Sequence, residues 1–277
     1  MANINLYATL AEYKAYSVAR GQTASTDATD DGVIVDLLEA ASRFIDDKTV
    51  RQFYPTIETR LYDVPQDEEL WLDQDLLEVT TLTNGDLSVV TDYNMLPANM
   101  YPKYMIRLKD TANVQWEADS DGELEQVISV LGVWGYRDKY NQRAWQSVGT
   151  LAAAITDTTT LAFSATTGHS ITAGMILKIN SEYYNVVTAA ANTITPIARG
   201  DNGSTAATHL ISTAIYAFKP QEEARNAVLE IANNAYNRRF GKAVGESATI
   251  TAAGVVLSPR DIPAMASEFI HNMRRLV

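Results

Sequence analysis

Three histidines, many carboxylates and two glycine-flanked turns are the residues of this chain that could do chemistry. His169, His209 and His271 are possible metal ligands or general bases. No two of them stand four residues apart and no His-Glu-x-x-His occurs, so a zinc pair on one helix face is not formed. His169 and His209 fall in predicted loops and are expected at the surface. Asp119-Ser120-Asp121-Gly122-Glu123 begins like a calcium loop. It lacks the third acidic ligand and the closing glutamate in frame, and reads as a turn between strands. Arg199-Gly200-Asp201 spells an integrin-type tripeptide, but Asn202-Gly203 follows, which predicts a glycine-rich turn. There is no phosphate-binding Gly-x-x-x-x-Gly-Lys-Ser/Thr, no dinucleotide fingerprint and no Gly-x-Ser-x-Gly elbow. The expectation is a protein that is not an enzyme, with no catalytic residue, no metal and no cofactor.

Charge and composition narrow the partners. With 22 basic and 34 acidic residues the net charge is -12, which repels nucleic acid overall and removes any general counterion-release affinity. Local basic groups (Arg137/Lys139/Arg143, Arg238/Arg239/Lys242, Arg274/Arg275) form no stripe interleaved with aromatics. No apolar run approaches the ~20 residues of a membrane helix, and no secretory signal is read at the start. Cysteine is absent, which excludes disulfides and thiolate metal sites and fits manufacture in a reducing cytoplasm.

The elements that would position these groups change character along the chain. A short helix is predicted within 3–20, then a small polar connection over 21–29. Asp30 or Asp31 offers an N-cap to an amphipathic helix with Val33, Leu37, Leu38, Ala41, Phe44 and Ile45 on its stripe, ended at the latest by Pro55. Strands are predicted at 58–64, 69–72, 79–83, 104–108, 114–117 and 124–134, with a type I′ turn at Asn84-Gly85-Asp86. Residues 147–218 then hold five charges (Asp157, Lys178, Glu182, Arg199, Asp201) and fourteen threonines. Five short strands at 160–163, 175–179, 183–188, 193–196 and 214–218 alternate there with glycine turns, the pattern of a small sandwich or barrel. Helical periodicity returns after Pro220, with Gly241 as a left-handed end. A β segment at 249–257 and a last helix bearing Met265, Phe269 and Met273 follow.

A shift this sharp, twice over, predicts an insertion: residues 147–218 as a small β domain within one discontinuous domain of 1–146 and 219–277. The predicted fold class is α+β. A helical core (long amphipathic helix, proline-led helix, C-terminal helix) with β-strands carries the inserted all-β barrel- or sandwich-like domain.

Joined together, the flanks run Leu37-Leu38-Glu39-Ala40-Ala41-Ser42-Arg43-Phe44-Ile45-Asp46-Asp47, Arg51-Gln52-Phe53-Tyr54-Pro55, Val133-Trp134-Gly135-Tyr136, Ala235-Tyr236-Asn237-Arg238-Arg239 and Leu257-Ser258-Pro259-Arg260-Asp261-Ile262-Pro263. In that order they resemble the head–tail adaptor (connector) family of tailed bacteriophages. The block resembles a β module found within several phage structural proteins. It matches at Gly174, Ile176, Ile179, Glu182, Tyr183, Val186, Arg199, Gly200, Asn202, Gly203, Ala206 and His209, with Ser204 in place of threonine.

The resemblance implies a structural protein of the virion neck, made in the bacterial cytoplasm. Its copies would assemble as a dodecameric ring below the portal protein, meet a downstream neck or tail protein, and let genomic DNA pass without specific binding or membrane contact. It also implies a C-terminal segment, Phe269, Met273, Arg274, Arg275, Leu276 and Val277, that docks on the portal. The alternative is a neck or tail binding module whose β domain contacts a host surface or a decoration protein.

Overall fold

The computed structural model describes residues 5–20, 28–111, 113–240, 249–250, 256–257 and 262–275. The predicted end at Gly241 and most of the 249–257 segment lie outside these. In chain order the helices are α1 (Leu10–Ala19), α2 (Asp31–Thr49), α3 (Tyr140–Arg143), α4 (Glu222–Phe240) and α5 (Ala264–Met273). The strands are β1 (Thr56–Tyr62), β2 (Glu69–Thr83), β3 (Tyr93–Leu96), β4 (Lys103–Leu108), β5 (Ile128–Trp134), β6 (Trp145–Thr150), β7 (Phe163–Ser164), β8 (Ile176–Ile179), β9 (Glu182–Ala190), β10 (Thr193–Pro196), β11 (Ala214–Phe218), β12 (Thr249–Ile250) and β13 (Val256–Leu257).

Two antiparallel sheets dominate, one of five strands ordered β1-β5-β2-β4-β3 and one of six ordered β6-β11-β8-β9-β10-β7. This corrects the expected fold class. Among the described residues the protein is mostly β, 26% helical with five α-helices, and is not a helical core carrying an insertion. The physical reason lies in residues 56–134. They build a sheet with an apolar core of its own, in which Leu70, Leu76, Leu82, Ile106, Val130 and Trp134 are buried together. The predicted strands at 69–72 and 79–83 are one 15-residue strand, β2. Its register slips between Trp71 and Leu76, where it leaves β4 for β5. The expected strand at 114–117 is irregular, while β3 and β6 were not anticipated.

The helices follow from local rules. Thr9 caps α1 through a reciprocal box: its hydroxyl accepts from the Glu12 amide at 3.2 Å and Glu12 accepts from the Thr9 amide at 2.8 Å. In α2 the buried positions Ile34, Leu38, Ala41, Ser42, Ile45 and Thr49 recur at three- and four-residue spacing, and left-handed Val50 ends it. Asp30 makes no capping bond. Its carboxylate instead accepts from the Tyr236 hydroxyl at 2.6 Å, tying the start of α2 to α4. Leu38 and Ile45 are wholly buried against α4 and α5, each contributing ~2 kcal/mol.

The Asn84-Gly85 turn also differs from expectation. Positive φ falls at Leu87, not at Gly85. Gly85 is required by space, because a Cβ there would sit 2.2 Å from the Glu117 carbonyl.

Candidate functional site

Two of the segments that carried the resemblance, Arg51–Pro55 and Val133–Tyr136, meet between α2 and β1. Arg51 donates from one terminal nitrogen to both Asp75 oxygens at 2.7 Å, and from Nε to the Met273 carbonyl at 2.7 Å. Its guanidinium stacks 4.7 Å from the Tyr136 ring. The Gln52 carbonyl accepts from the Tyr136 amide. Gly135 (φ +144°) is needed at this approach, since a Cβ would lie 2.4 Å from the Tyr54 carbonyl. Phe53 is fully buried among Tyr7, Tyr136 and Phe269.

Three distant parts of the chain clamp this segment. From the N-terminus, residues 5–9 form a strap in which all five residues are buried although none is helical or extended in a sheet. The Tyr7 hydroxyl donates to Asp46 and accepts from the Phe53 amide at 2.8 Å. The Tyr7 amide donates to Ser42, and Arg43 donates to the Asn5 carbonyl at 2.9 Å. Burial raises the Asp46 carboxyl to about 6, against the opposing pull of Arg43 and Tyr7.

From the C-terminus, the Arg275 amide donates to the Thr49 carbonyl, and its guanidinium to the Leu72 carbonyl at 2.7 Å and to Asp75 at 3.2 Å. Buried Asp75 thus holds two arginines. Burial pushes its carboxyl up, while Arg51 and Arg275 act in the opposite sense.

The third clamp comes from the six-stranded sheet. Left-handed Asn202 donates from Nδ2 to the Pro55 carbonyl at 3.0 Å and to Asn5 at 2.8 Å, and its carbonyl accepts from the Ile57 amide at 2.8 Å. Gly203 lies against the Ile57 carbonyl, where a Cβ would come within 1.9 Å. Asn185 donates to Asp201 at 2.7 Å and accepts from the Asn5 amide at 3.1 Å.

The finger that carries Asn202 is braced by a buried charge network. Glu182, fully buried, accepts from Arg199 at 2.8 and 3.0 Å, from the Gly200 and Ala207 amides at 2.9 Å, and bonds His209 Nε2 at 2.9 Å. Arg199 also donates to the carbonyls of Asp157, Thr160 and Ala207. Burial alone would raise the Glu182 carboxyl; Arg199, the Ala207 amide and His209 outweigh it and hold the group at about 2. Every lone-pair direction of this carboxylate is therefore taken by a structural donor.

The sequence-predicted residues fall as follows. His209 is not at the surface but 3% exposed beside Glu182, while His271 is exposed. His169 bonds the Ala191 carbonyl at 2.7 Å. The tripeptide 199–201 leads into the turn Asp201–Ser204, and its arginine is consumed inside the fold. Asp119 accepts from the amides of Asp121 and Glu123, and no group of three metal-ligating side chains occurs among the described residues. Of the proposed docking residues, Phe269 packs on Phe53, Met273 is half-buried, Arg275 is tied to Asp75 and Arg274 is exposed. Leu276 and Val277 lie outside the described residues. Sequence reading misses Asp75, because Asp73 and Asp75 both stand between Leu72 and Leu76 and only the fold buries the second. It also misses Tyr7 and Asn5, for which no local pattern exists.

No protein-family model, no curated protein and no solved structure matches the chain.

Proposed function

We propose that this chain is a structural subunit of a tailed-phage virion, a head–tail adaptor whose copies close a ring below the portal and prolong the DNA channel. The observation that carries the reading is the junction at Arg51–Pro55. Two of the five segments on which the resemblance rests, Arg51 to Pro55 and Val133 to Tyr136, meet there. The two ends of the chain and a finger of the second sheet are bonded to the same five residues. Bonds that tie distant parts of a chain together suit a subunit that passes mechanical stress between head and tail, and those of Arg51 are charge-assisted and geometrically specific. Its acidic surface suits a channel through which DNA slides without adhering. Arg274 is the exposed cation beside the anchored Arg275 and is assigned to the portal contact.

The test is to image the purified chain by electron microscopy, alone and with the portal protein of the same virus. The expected result is a closed ring with a central channel seated on the portal. A chain that stays monomeric and unattached in both conditions sinks the reading. Arg274→Glu should weaken portal attachment without changing the fold.

A second reading, a binding module, is favoured by one observation. Leu161, Leu210 and Ile211 of the block that holds the six-stranded sheet are exposed at 41%, 79% and 60%. Leu210→Glu with Ile211→Glu should abolish adhesion to host cells if this surface is the receptor contact, and leave ring assembly intact.

A further inference from the structure

Strand β1 is an edge of the five-stranded sheet and pairs with β5 alone. Backbone groups in an antiparallel pair alternate between the two sides of a strand. The Ile57 amide points away from β5, because it donates to Asn202. The same side must therefore present the N–H and C=O of Thr59 and Leu61. Among the described residues, no hydrogen bond from outside the sheet reaches these groups. Both residues are exposed, Leu61 at 54%. A seven-residue strand with open backbone groups and an outward leucine is a template for another strand. Here its first outward position is occupied by the Asn202–Gly203 finger.

The sequence of β1, Thr-Ile-Glu-Thr-Arg-Leu-Tyr, says which strand it would accept. Laid antiparallel on itself about Thr59, it sets Glu58 opposite Arg60 of a second copy and Arg60 opposite its Glu58. Ile57 then faces Leu61 of that copy, twice. Opposite charges and apolar pairs directly across two strands are the favourable cross-strand combinations. A two-fold axis through Thr59 makes the contact isologous and closed. Glu58 and Arg60 are both partly solvent-accessible, at 39% and 26% of their side chains; Arg60 can turn from Glu58 of its own strand to that of the second copy while keeping Asp73 at 3.2 Å and its place over the Trp134 ring.

We infer that β1 is a self-complementary edge for a second copy of this chain, and that the Asn202–Gly203 finger is the guard that keeps it closed. With the finger seated, Ile57 cannot bond Leu61 of another copy, and only the central Thr59 pair remains open. Withdrawal of the finger frees all three outward positions on both strands. The surface is independent of the ring proposed above, which requires a non-isologous contact. The guard would hold subunits out of a closed dimer that could not join a ring.

The absence of cysteine makes the test direct. Residues facing one another as a hydrogen-bonded antiparallel pair have Cα atoms about 5.5 Å apart, within the range a disulfide spans. Thr59→Cys should therefore form a disulfide-linked dimer on mild oxidation. The rate should rise about ten-fold when Gly203→Ala forces the finger off Ile57. Adding Arg60→Glu should cancel that rise, and adding Glu58→Arg to it should restore it, because the swapped strand is again self-complementary. Where Gly203→Ala loses native circular dichroism, Asn202→Ala replaces it. Thr59→Cys alone, through transient openings of the finger, supplies the same charge-swap comparison. Cross-linking that ignores the finger substitution, or that does not follow the loss and return of charge complementarity, overturns the proposal.

Discussion

Asn202 donates its side-chain N–H to the carbonyl of Pro55, 147 positions earlier in the chain, at 3.0 Å. That bond and the Ile57–Asn202 backbone bond place the finger of the six-stranded sheet on the first turn of β1. The Asn202→Ala variant loses the donors to Pro55 and Asn5 and leaves two carbonyl-type oxygens dry. Global stability should fall by about 1–3 kcal/mol in urea titration. Amide exchange at Ile57 should accelerate, and an unchanged Ile57 exchange rate would show that the finger is not held by this side chain.

Glu182→Gln leaves the Arg199 guanidinium, 5% exposed, without its anion. The expected cost is about 3–5 kcal/mol, read as a drop in the unfolding midpoint of the six-stranded sheet. The pH dependence has a definite sign. Glu182 sits at about 2 in the folded chain against an ordinary 4.5. The folded state therefore binds fewer protons in that window, and the stabilisation is complete above pH 4.5 and is lost as pH falls toward 2. Glu182→Gln should flatten this acid limb; an identical limb in both proteins would assign it to other carboxylates.

Asp46 behaves oppositely. Its carboxyl stands at about 6 against an ordinary 3.8, so the folded chain binds more protons than the unfolded chain between these values. Stability should therefore decline as pH rises from 3.8 to 6, by up to ~2 kcal/mol. Hydrogen exchange at Tyr7 and Ala8, corrected for its intrinsic pH dependence, should follow it, because ionisation places a desolvated charge beneath the strap that Tyr7 anchors at Asp46. In Asp46→Asn the slope in this window should disappear, and a persisting slope would place the titration elsewhere.

Arg275→Ala should release the end of the chain without unfolding the sheets. Asp75 keeps Arg51, so the loss is one of its two arginines together with the bond to the Leu72 carbonyl, about 1–3 kcal/mol. Limited proteolysis after α5 should become faster. Arg51→Met removes the bidentate partner of Asp75 and the bond to the Met273 carbonyl, and should cost about 3–5 kcal/mol. If Arg51→Met proves no more damaging than Arg275→Ala, Asp75 is not the keystone of the junction.

Local features were legible in sequence wherever one chemical rule acts over a few residues. The α2 stripe at Leu38, Ala41 and Ile45, the proline before α4 and the turn over Asn202-Gly203 follow from spacing, φ restriction or glycine freedom, whereas Val33, Leu37 and Phe44 of the expected stripe are only half-buried and Ile34 lies in the core. The failures have a common cause. Asp30, one of the two aspartates expected as the cap, does stand at the N-cap of α2, but Tyr236, 206 residues away, takes its carboxylate in place of the backbone amides. His209 was read as surface because loops are usually exposed, but Glu182 needed one more donor inside. The split of β2 into two pieces came from its bulge, where alternation breaks as the strand changes partners.

By itself the sequence determined the periodicities, the turn chemistry, the absence of thiols, the net acidity and the change of composition at 147–218. Each is a property of neighbours along the chain. Only tertiary structure decided that the protein is mainly two antiparallel sheets, since strand pairing joins residues as far apart as Thr56 and Trp134. It alone decided that Arg51–Pro55 is a junction, because Tyr7, Asp75, Asn202 and Met273 reach that segment through bonds spanning 24 to 222 positions. Side chains of ordinary type acquire a role when the fold removes water from around them and leaves a single partner within reach.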